Sequence, residues 1–230
     1  KKIDEVVDKV YSNVLQRSKD IASGKKPDIG IETGIRRIDE LTCGMQSGDM
    51  WLIGGNTSEG KTELMLQIVN YVSSALKLPC LVFSHEMTKE RIIERLLCLN
   101  SNIPLYRIRT GNLTGLQDDE KLRKAFLNLT QTPIYIDDSV NITASDVYSR
   151  TRWLKMSVPN LALVVDDYIQ LCVGERLEGK RELEIASIGR MFKRIAREMN
   201  VCFLTLSQLN TEAERRGQNQ IPRLNDLRES

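Results

Sequence analysis

The sequence contains only one histidine and five cysteines, and none of the cysteines stands in a CxxC pair. Such a set is too small and too scattered for a zinc site or a disulfide framework. Cys80, Cys172 and Cys202 lie in or beside apolar runs, where thiols are usually reduced and buried. The cysteine pattern therefore favours a protein of the cytoplasm.

Long apolar runs and a large excess of one charge are also absent. No stretch approaches the roughly 20 apolar residues that a membrane helix needs, and the opening KKIDEVVDKVYSN lacks the apolar core of a signal peptide. The sequence has 33 Lys and Arg against 31 Asp and Glu, a net charge of +2. We therefore expect no membrane segment, and nucleic-acid binding would depend on local clusters of positive charge.

Short apolar runs alternate with longer amphipathic stretches along most of the 230 residues. Apolar runs with little polar alternation are typical of parallel strands that are covered on both faces. They predict strands at 50–54, 80–84, 134–137, 163–166 and 201–207. The amphipathic stretches predict helices at 61–76, 89–100, 118–129, 144–155 and 183–200. The pattern indicates an α/β fold with a mostly parallel central sheet, whose ligands lie at the carboxyl ends of the strands.

The first part of the chain has a different pattern. Residues 1–22 repeat apolar residues at near-helical spacing between charges, and the polar, glycine-containing stretch 23–30 is typical of a linker. We therefore predict a helical arm with its linker at 1–28 and one α/β domain at 29–230. The helix either packs on its own domain or docks on a neighbouring subunit.

The most specific motif is GNTSEGKT, which lies between a predicted strand and a predicted helix. It fits GxxxxGK[ST], in which glycines let backbone N–H groups wrap around phosphates and the helix adds the positive end of its dipole. Lys61 is expected to reach the β- and γ-phosphates of ATP, and Thr62 to ligate Mg²⁺. The predicted nucleotide-binding residues are Gly55, Asn56, Thr57, Ser58, Glu59, Gly60, Lys61 and Thr62.

Three other predicted strands end in polar residues that suit ATP hydrolysis. The run LVVDDY is typical of a strand that delivers a carboxylate to Mg²⁺. Asp166 and Asp167 must point to opposite faces, so only one of them can do so. We expect the strand before Glu86 to lie beside the phosphate-binding strand, so that Glu86 orients the attacking water. Gln208 could sense the γ-phosphate; alone, these two residues could equally be a helix cap and a loop residue.

These residues, in this order, resemble replicative DNA helicases of the DnaB type, and the resemblance extends over nearly the whole chain. It rests on TGIRRID and GMQSG before the phosphate loop, and on FSHEM, RTGNLT, YIDD, DYIQL, LSQLN and DLRES after it. The resemblance implies a RecA-like P-loop NTPase fold. It also implies a motor that hydrolyses ATP and moves along single-stranded DNA as a homohexameric ring.

The resemblance also implies roles for individual residues. Asp167 rather than Asp166 would ligate Mg²⁺, because the aspartate of the family directly precedes a tyrosine. Glu86 would be the catalytic base and Gln208 the γ-phosphate sensor. Arg95, nine positions after the glutamate, would contact phosphate.

Two polar, glycine-containing loops follow the last two predicted strands and are expected to contact DNA phosphates without reading bases. Neither loop has an aromatic residue, which argues against base stacking. The alternative is that both are solvated surface loops. Composition points to Lys180, Arg181, Arg215 and Arg216 as DNA contacts, and the resemblance adds Arg228 and Glu229.

The resemblance implies partners, and the sequence also departs from the family in places. The implied partners are single-stranded DNA, a primase, a helicase loader and an adjacent subunit on which the arm docks. The implied location is the cytoplasm of a bacterium or, for a phage protein, of its host. His85 stands where the family usually has Leu. The final strands and arginine finger of the family would lie beyond Ser230, so we expect the motor domain to be incomplete at its carboxyl end.

Two other functional classes stay open at this point. A nucleotide-gated DNA-binding or assembly ATPase, of a recombinase-like or loader-like kind, would use ATP as a switch instead of as fuel. A small-molecule kinase would need an acceptor site, which the sequence does not indicate. The segments FSHEM and DLRES favour the helicase.

Overall fold

The computed structural model describes residues 2–25, 30–172 and 181–209. The chain divides into two compact units, of which the first contains helix α1 (Ile3–Ala22) and the second begins at Ile31. Helix α1 follows the predicted amphipathic pattern, and its apolar residues are exposed, among them Val10, Tyr11 and Val14. Within the described residues, no helix is long and apolar enough to cross a membrane.

The second unit is built on a five-stranded sheet. Its strands are β1 (Met50–Gly55), β2 (Cys80–Ser84), β3 (Ile134–Asp137), β4 (Leu163–Asp167) and β5 (Cys202–Gln208), and they lie in the order β1-β5-β4-β2-β3. Every pairing between them is parallel. The predicted parallel sheet is confirmed, and each predicted strand agrees with its observed bounds to within about one residue.

The strand order corrects one expectation. Strand β2, which precedes Glu86, does not lie beside β1, because β5 and β4 lie between them. An apolar run predicts that a strand exists, but its place in the sheet depends on where the connecting helices cross over. Residues that follow β2 therefore face the phosphate loop across the ends of two intervening strands.

Helices connect the strands and cover the sheet. The predicted helices are present as α3 (Lys61–Ser74), α4 (Lys89–Ser101), α6 (Gly115–Thr130), α7 (Ala144–Ser157) and α8 (Arg181–Met199). The structure adds α2 (Arg36–Thr42), α5 (Leu105–Thr110) and a short 3-10 helix, Ile169–Leu171. One or two turns contain too little of the 3.6-residue pattern to be recognised in a sequence, so these three were missed.

Two buried clusters lie on opposite faces of the sheet. Helices α7 and α8 pack on one face, where the stacked rings of Phe192 and Phe203 lie 4.4 Å apart between their centroids. Helices α3 and α4 pack on the other face. All five cysteines are free thiols, and burial raises the pKa of Cys80 and Cys202 to about 12, so both stay protonated.

Truncation of the stacked ring pair is expected to destabilise the fold strongly. Phe203 is fully buried, so Phe203→Ala leaves a cavity and should lower the free energy of unfolding by about 3–5 kcal/mol. Phe126 is 57% exposed, and Phe126→Ala should change it by no more than about 0.5 kcal/mol. Urea denaturation measures both changes; equal losses for the two variants would contradict this view of the core.

Candidate nucleotide-binding site

A cavity of about 420 Å³ opens at the carboxyl ends of the strands. It is lined by the loop between β1 and α3, by α4, and by residues that follow or end β2, β4 and β5. The structure therefore brings together residues predicted from separate segments of the chain. The predicted residues that line it are Thr57, Ser58, Gly60, Lys61, Thr62, Glu86, Arg95, Asp167 and Gln208, and Glu63, Met87 and Tyr168 join them.

The phosphate loop, residues 55–62, needs glycine at two points. Gly60, directly before α3, has a φ of +87°, in the left-handed region that favours glycine. A Cβ on Gly55 would lie 3.1 Å from Glu59 Oε2 and 3.3 Å from Lys61 Cγ, so a larger residue would displace both side chains. The first turn of α3 then presents the positive end of the helix dipole at the cavity. This cradle fits a phosphate group.

Hydrogen bonds within the loop hold its shape. Lys61 Nζ donates to the carbonyl oxygens of Gly55 and Asn56, each at 2.7 Å. The Glu59 carboxylate accepts from the backbone N–H of Asn56 at 2.7 Å and from its side-chain amide at 2.8 Å. These two bonds lower the pKa of Glu59. The Lys61 ammonium group is therefore held inside the phosphate loop by backbone carbonyl groups of that loop.

Asp167, at the end of β4, lies against the phosphate loop. Thr62 Oγ1 donates to Asp167 Oδ2 at 3.1 Å, and the aspartate is 2% exposed. Burial, with smaller contributions from the charges of Glu86 and Asp166, raises the pKa of Asp167 to about 6. A hydroxyl and a buried carboxylate are oxygen ligands of the kind that Mg²⁺ prefers, and a cation beside them would favour the ionised carboxylate.

The structure describes no group of three or more His, Cys, Asp or Glu side chains that could hold a metal ion between them. Mg²⁺ keeps several waters and is usually bound by one or two protein groups together with substrate phosphates, and Thr62 and Asp167 offer two such oxygen groups. The residues present therefore fit a magnesium ion that enters with a nucleotide.

Asp166 points away from Thr62, as strand alternation requires. It is fully buried, accepts from Thr205 Oγ1 at 2.9 Å and lies 2.8 Å from His85 Nε2. The two neighbouring carboxylates thus have separate sets of partners, and only Asp167 contacts the phosphate loop.

Glu86 and Arg95 reach the cavity from the side of β2 and α4. Glu86 follows β2 directly after His85 and is exposed. Arg95, on α4, forms an ion pair with Glu63 on α3, and its Nε is buried without a hydrogen-bond partner among the described residues. Glu63 was not predicted to be part of the site, because it comes directly after the phosphate motif and belongs to no pattern.

Gln208 ends β5 and touches the phosphate loop. Its Nε2 donates to Thr57 Oγ1 at 2.7 Å, and its backbone is held by Gln170, which donates to the Gln208 carbonyl at 3.1 Å and accepts from its N–H at 3.3 Å. Gln170 also donates to Ser207 Oγ at 3.0 Å. This contribution of Gln170 was not predicted, although the residue lies in the segment DYIQL. The pattern that could have indicated it is a polar side chain shortly after a buried strand.

The residues predicted to contact DNA lie almost entirely outside the described part of the chain. Lys180, Arg215, Arg216, Arg228 and Glu229 lie outside the described residues, and of Arg181, where α8 begins, only the backbone is described. Their roles stay predictions.

Comparison with known families finds one model that covers most of the chain: the DnaB-like helicase C terminal domain matches residues 30–230. Among curated proteins, the chain is 36% identical over 230 residues to the replicative DNA helicase DnaC of Bacillus subtilis (strain 168), covering 99% of this chain and 49% of that protein. It is 35% identical over 242 residues to the replicative DNA helicase DnaB of Geobacillus stearothermophilus, covering 100% and 53%. The chain thus spans about half the length of these relatives.

Two solved structures share the fold. The first is described as an ATPase domain, and it superposes with a TM-score of 0.88 at 29% identity, covering 100% of this chain and 78% of that one. The second is a DnaB-like replicative helicase, described with its interactions with primase; it gives a TM-score of 0.85 at 29% identity, covering 100% and 53%. These likenesses confirm the predicted RecA-like ATPase fold.

Removal of the loop ammonium group should weaken nucleotide binding. Lys61→Ala deletes a charged donor, and a hydrogen bond to a charged group contributes about 1.5–3 kcal/mol, so the dissociation constant for ATP should rise roughly tenfold or more. Lys124→Ala, on exposed helix α6, is the matched control and should bind as the parent does. Titration with a fluorescent ATP analogue measures both; parental affinity in Lys61→Ala would contradict the assignment of the loop.

Proposed function

This chain belongs to the DnaB-like helicase C-terminal domain family, and from that premise we propose that it is the ATP-hydrolysing motor of a replicative DNA helicase. The observation that carries the proposal is the convergence, on one cavity, of a phosphate cradle with the residues that ATP hydrolysis needs. Those residues are Lys61, Thr62, Glu86, Arg95, Asp167 and Gln208.

The proposed chemistry divides these residues by role. Lys61 neutralises charge on the β- and γ-phosphates once it exchanges its loop carbonyls for phosphate oxygens. Thr62 and Asp167 would hold Mg²⁺. When bound, the metal ion neutralises charge that develops on the phosphates. Glu86, which is exposed and lines the cavity, accepts a proton from the attacking water.

Arg95 and Gln208 are proposed to respond to the γ-phosphate. The guanidinium of Arg95 is paired with Glu63, and two oxygens of a γ-phosphate, which can accept a bidentate pair of hydrogen bonds, would draw it into the cavity. Gln208 holds Thr57 in the phosphate loop, so its amide is within reach of a group bound there. Both side chains can therefore change partners when ATP replaces ADP.

Gln208 also connects the cavity to the proposed DNA-binding segment. The next residue, Leu209, donates its N–H to the carbonyl oxygen of Gly55 at 3.2 Å, so the chain leaves β5 along the phosphate loop. It then continues into the stretch that holds Arg215, Arg216 and Arg228. We propose that these residues, with Lys180, Arg181 and Glu229, contact the backbone of single-stranded DNA. Hydrolysis would then move the DNA contacts that follow β5 through the chain that leaves the phosphate loop at Gln208.

Ring assembly and further partners complete the proposal. We infer a homohexamer in the cytoplasm, in which the exposed apolar stripe of α1 docks on an adjacent subunit. A primase and a helicase loader are the further partners we propose; the relatives are named replicative DNA helicases, and one related structure is described with its interactions with primase. An assembly ATPase that uses ATP as a switch would share this cavity but would not unwind a forked duplex.

Replacement of the proposed base separates chemistry from binding. Glu86→Gln keeps the size of the side chain but cannot accept a proton, so ATP turnover should fall by about 10²–10⁴ while nucleotide affinity stays near that of the parent. Glu120→Gln on the exposed face of α6 is the control. Phosphate release and analogue titration report the two quantities. Turnover at the parental rate in Glu86→Gln would remove this residue from the chemistry.

The DNA contact is tested by its dependence on salt. Arg228→Ala should weaken binding to single strands of any sequence to a similar degree and reduce the slope of log affinity against log salt by about one unit, because one phosphate contact is lost. Stimulation of the ATPase by DNA should fall as well. Arg123→Ala on α6 serves as the control, and an unchanged slope for Arg228→Ala would exclude the arginine from the DNA path. Unwinding of a forked duplex by the parent protein distinguishes a motor from an ATP-dependent switch.

A further inference from the structure

Three buried polar side chains, none of which lines the nucleotide cavity, form a connected chain: His85, Asp166 and Thr205, here called the His85 network. His85 Nε2 lies 2.8 Å from Asp166 Oδ1, and Thr205 Oγ1 donates to Asp166 Oδ2 at 2.9 Å. The side chains of His85 and Asp166 are 2% and 0% exposed. One carboxylate thus connects an imidazole on one side with a hydroxyl on the other.

The network joins the strands that precede or carry Glu86, Asp167 and Gln208. His85 directly follows β2 and directly precedes Glu86. Asp166 stands next to Asp167 on β4, and Thr205 lies on β5, the strand that ends at Gln208. A shift of any one strand end relative to the others would break one of these hydrogen bonds.

Glu86 is exposed, whereas its neighbours Ser84, His85 and Met87 are held by hydrogen bonds. The backbone N–H of His85 donates to the Asp167 carbonyl at 3.0 Å, so both the backbone and the ring of His85 bind β4. On the other side, Ser84 Oγ donates to the Met87 carbonyl at 2.8 Å and accepts from the Met87 N–H at 3.3 Å. The backbone that carries Glu86 is therefore held from both directions.

Stability alone does not account for this arrangement. Within the described part of the chain, His85 Nδ1 is buried and has no hydrogen-bond partner. A buried polar atom without a partner destabilises a fold, and burial of a carboxylate costs free energy that its hydrogen bonds must offset. Apolar side chains at both positions 85 and 166 would fill the same space without either penalty, so the network points to a role in the nucleotide site.

We propose that His85 is a positioning residue that, through Asp166 and Thr205, fixes Glu86 in relation to Asp167 and Gln208. This inference rests on the proposed role of Glu86 as the base. The distance between the base and the cation ligand is then set by a side-chain bond from β2 to β4, and the γ-phosphate sensor is tied to both through β5. His85 itself touches neither nucleotide nor metal.

The test uses paired variants of the full-length protein, with kcat, nucleotide affinity and thermal stability measured in parallel. His85→Leu should lower kcat by about 10–100-fold, the effect of displacing a catalytic group by a fraction of an ångström to one ångström, whereas affinity for an ATP analogue stays parental because the phosphate loop is untouched. His85→Gln retains an N–H donor and should recover part of the loss. Thr205→Val should lower kcat by a smaller factor than His85→Leu does. Thr205→Ser keeps the hydroxyl donor and should leave kcat near that of the parent.

A double substitution distinguishes positioning from a general effect on folding. If His85 acts only by placing Glu86, adding His85→Leu to Glu86→Gln should lower the residual turnover no further. An additional loss of kcat in the double variant would overturn the proposal. Parental kcat in His85→Leu, or a loss confined to melting temperature, would do the same. Should His85→Leu fail to fold, the near-isosteric Thr205→Val and Thr205→Ser pair provides the same comparison.

The outcomes also separate this proposal from the one on which it rests. Parental turnover in Glu86→Gln would refute the proposed base, whatever the His85 variants do. An inactive Glu86→Gln beside a fully active His85→Leu would leave the base in place and refute only the positioning role.

Discussion

The hydrogen bond from Thr62 to Asp167 joins the two halves of the nucleotide site. Thr62 follows β1 and Asp167 ends β4, yet these strands are not neighbours, because β5 pairs with both. The bond forms only when the three strands align so that their carboxyl ends are level. The two apolar cores fix this register, since a slip of one residue would turn every side chain of β4 to the other face and present Asp166 to the phosphate loop instead.

Two adjacent carboxylates of one strand are thus used in different ways. Asp166 is satisfied within the protein by Thr205 and His85, whereas Asp167 has a hydroxyl partner and borders the cavity. Burial raises the pKa of Asp167 to about 6, because few positive groups among the described residues lie close enough to stabilise the ionised carboxylate. Binding of a cation there would favour the ionised carboxylate and tie β4 to the nucleotide.

Local patterns could be predicted from the sequence, whereas partnerships between distant residues could not. Doubly covered strands and the phosphate loop are recognisable because their signals lie within a few consecutive residues. The prediction that β2 lies beside β1 was wrong, and the hydrogen bonds by which Gln170 holds Gln208, 38 positions away, were not predicted. The bond between His85 and Asp166 spans 81 positions. Such pairs arise from the crossover of strands, which periodicity does not encode.

The central place of β5 also has a consequence for synthesis on the ribosome. Among the described strands, β5 is the last to be made, yet it is the partner through which β1 joins the rest of the sheet. A nascent chain that ends before Cys202 has its phosphate loop but lacks the strand that holds it level with Asp167. The nucleotide site is therefore completed only after β5 has been made, and products truncated before β5 would lack an assembled ATPase centre.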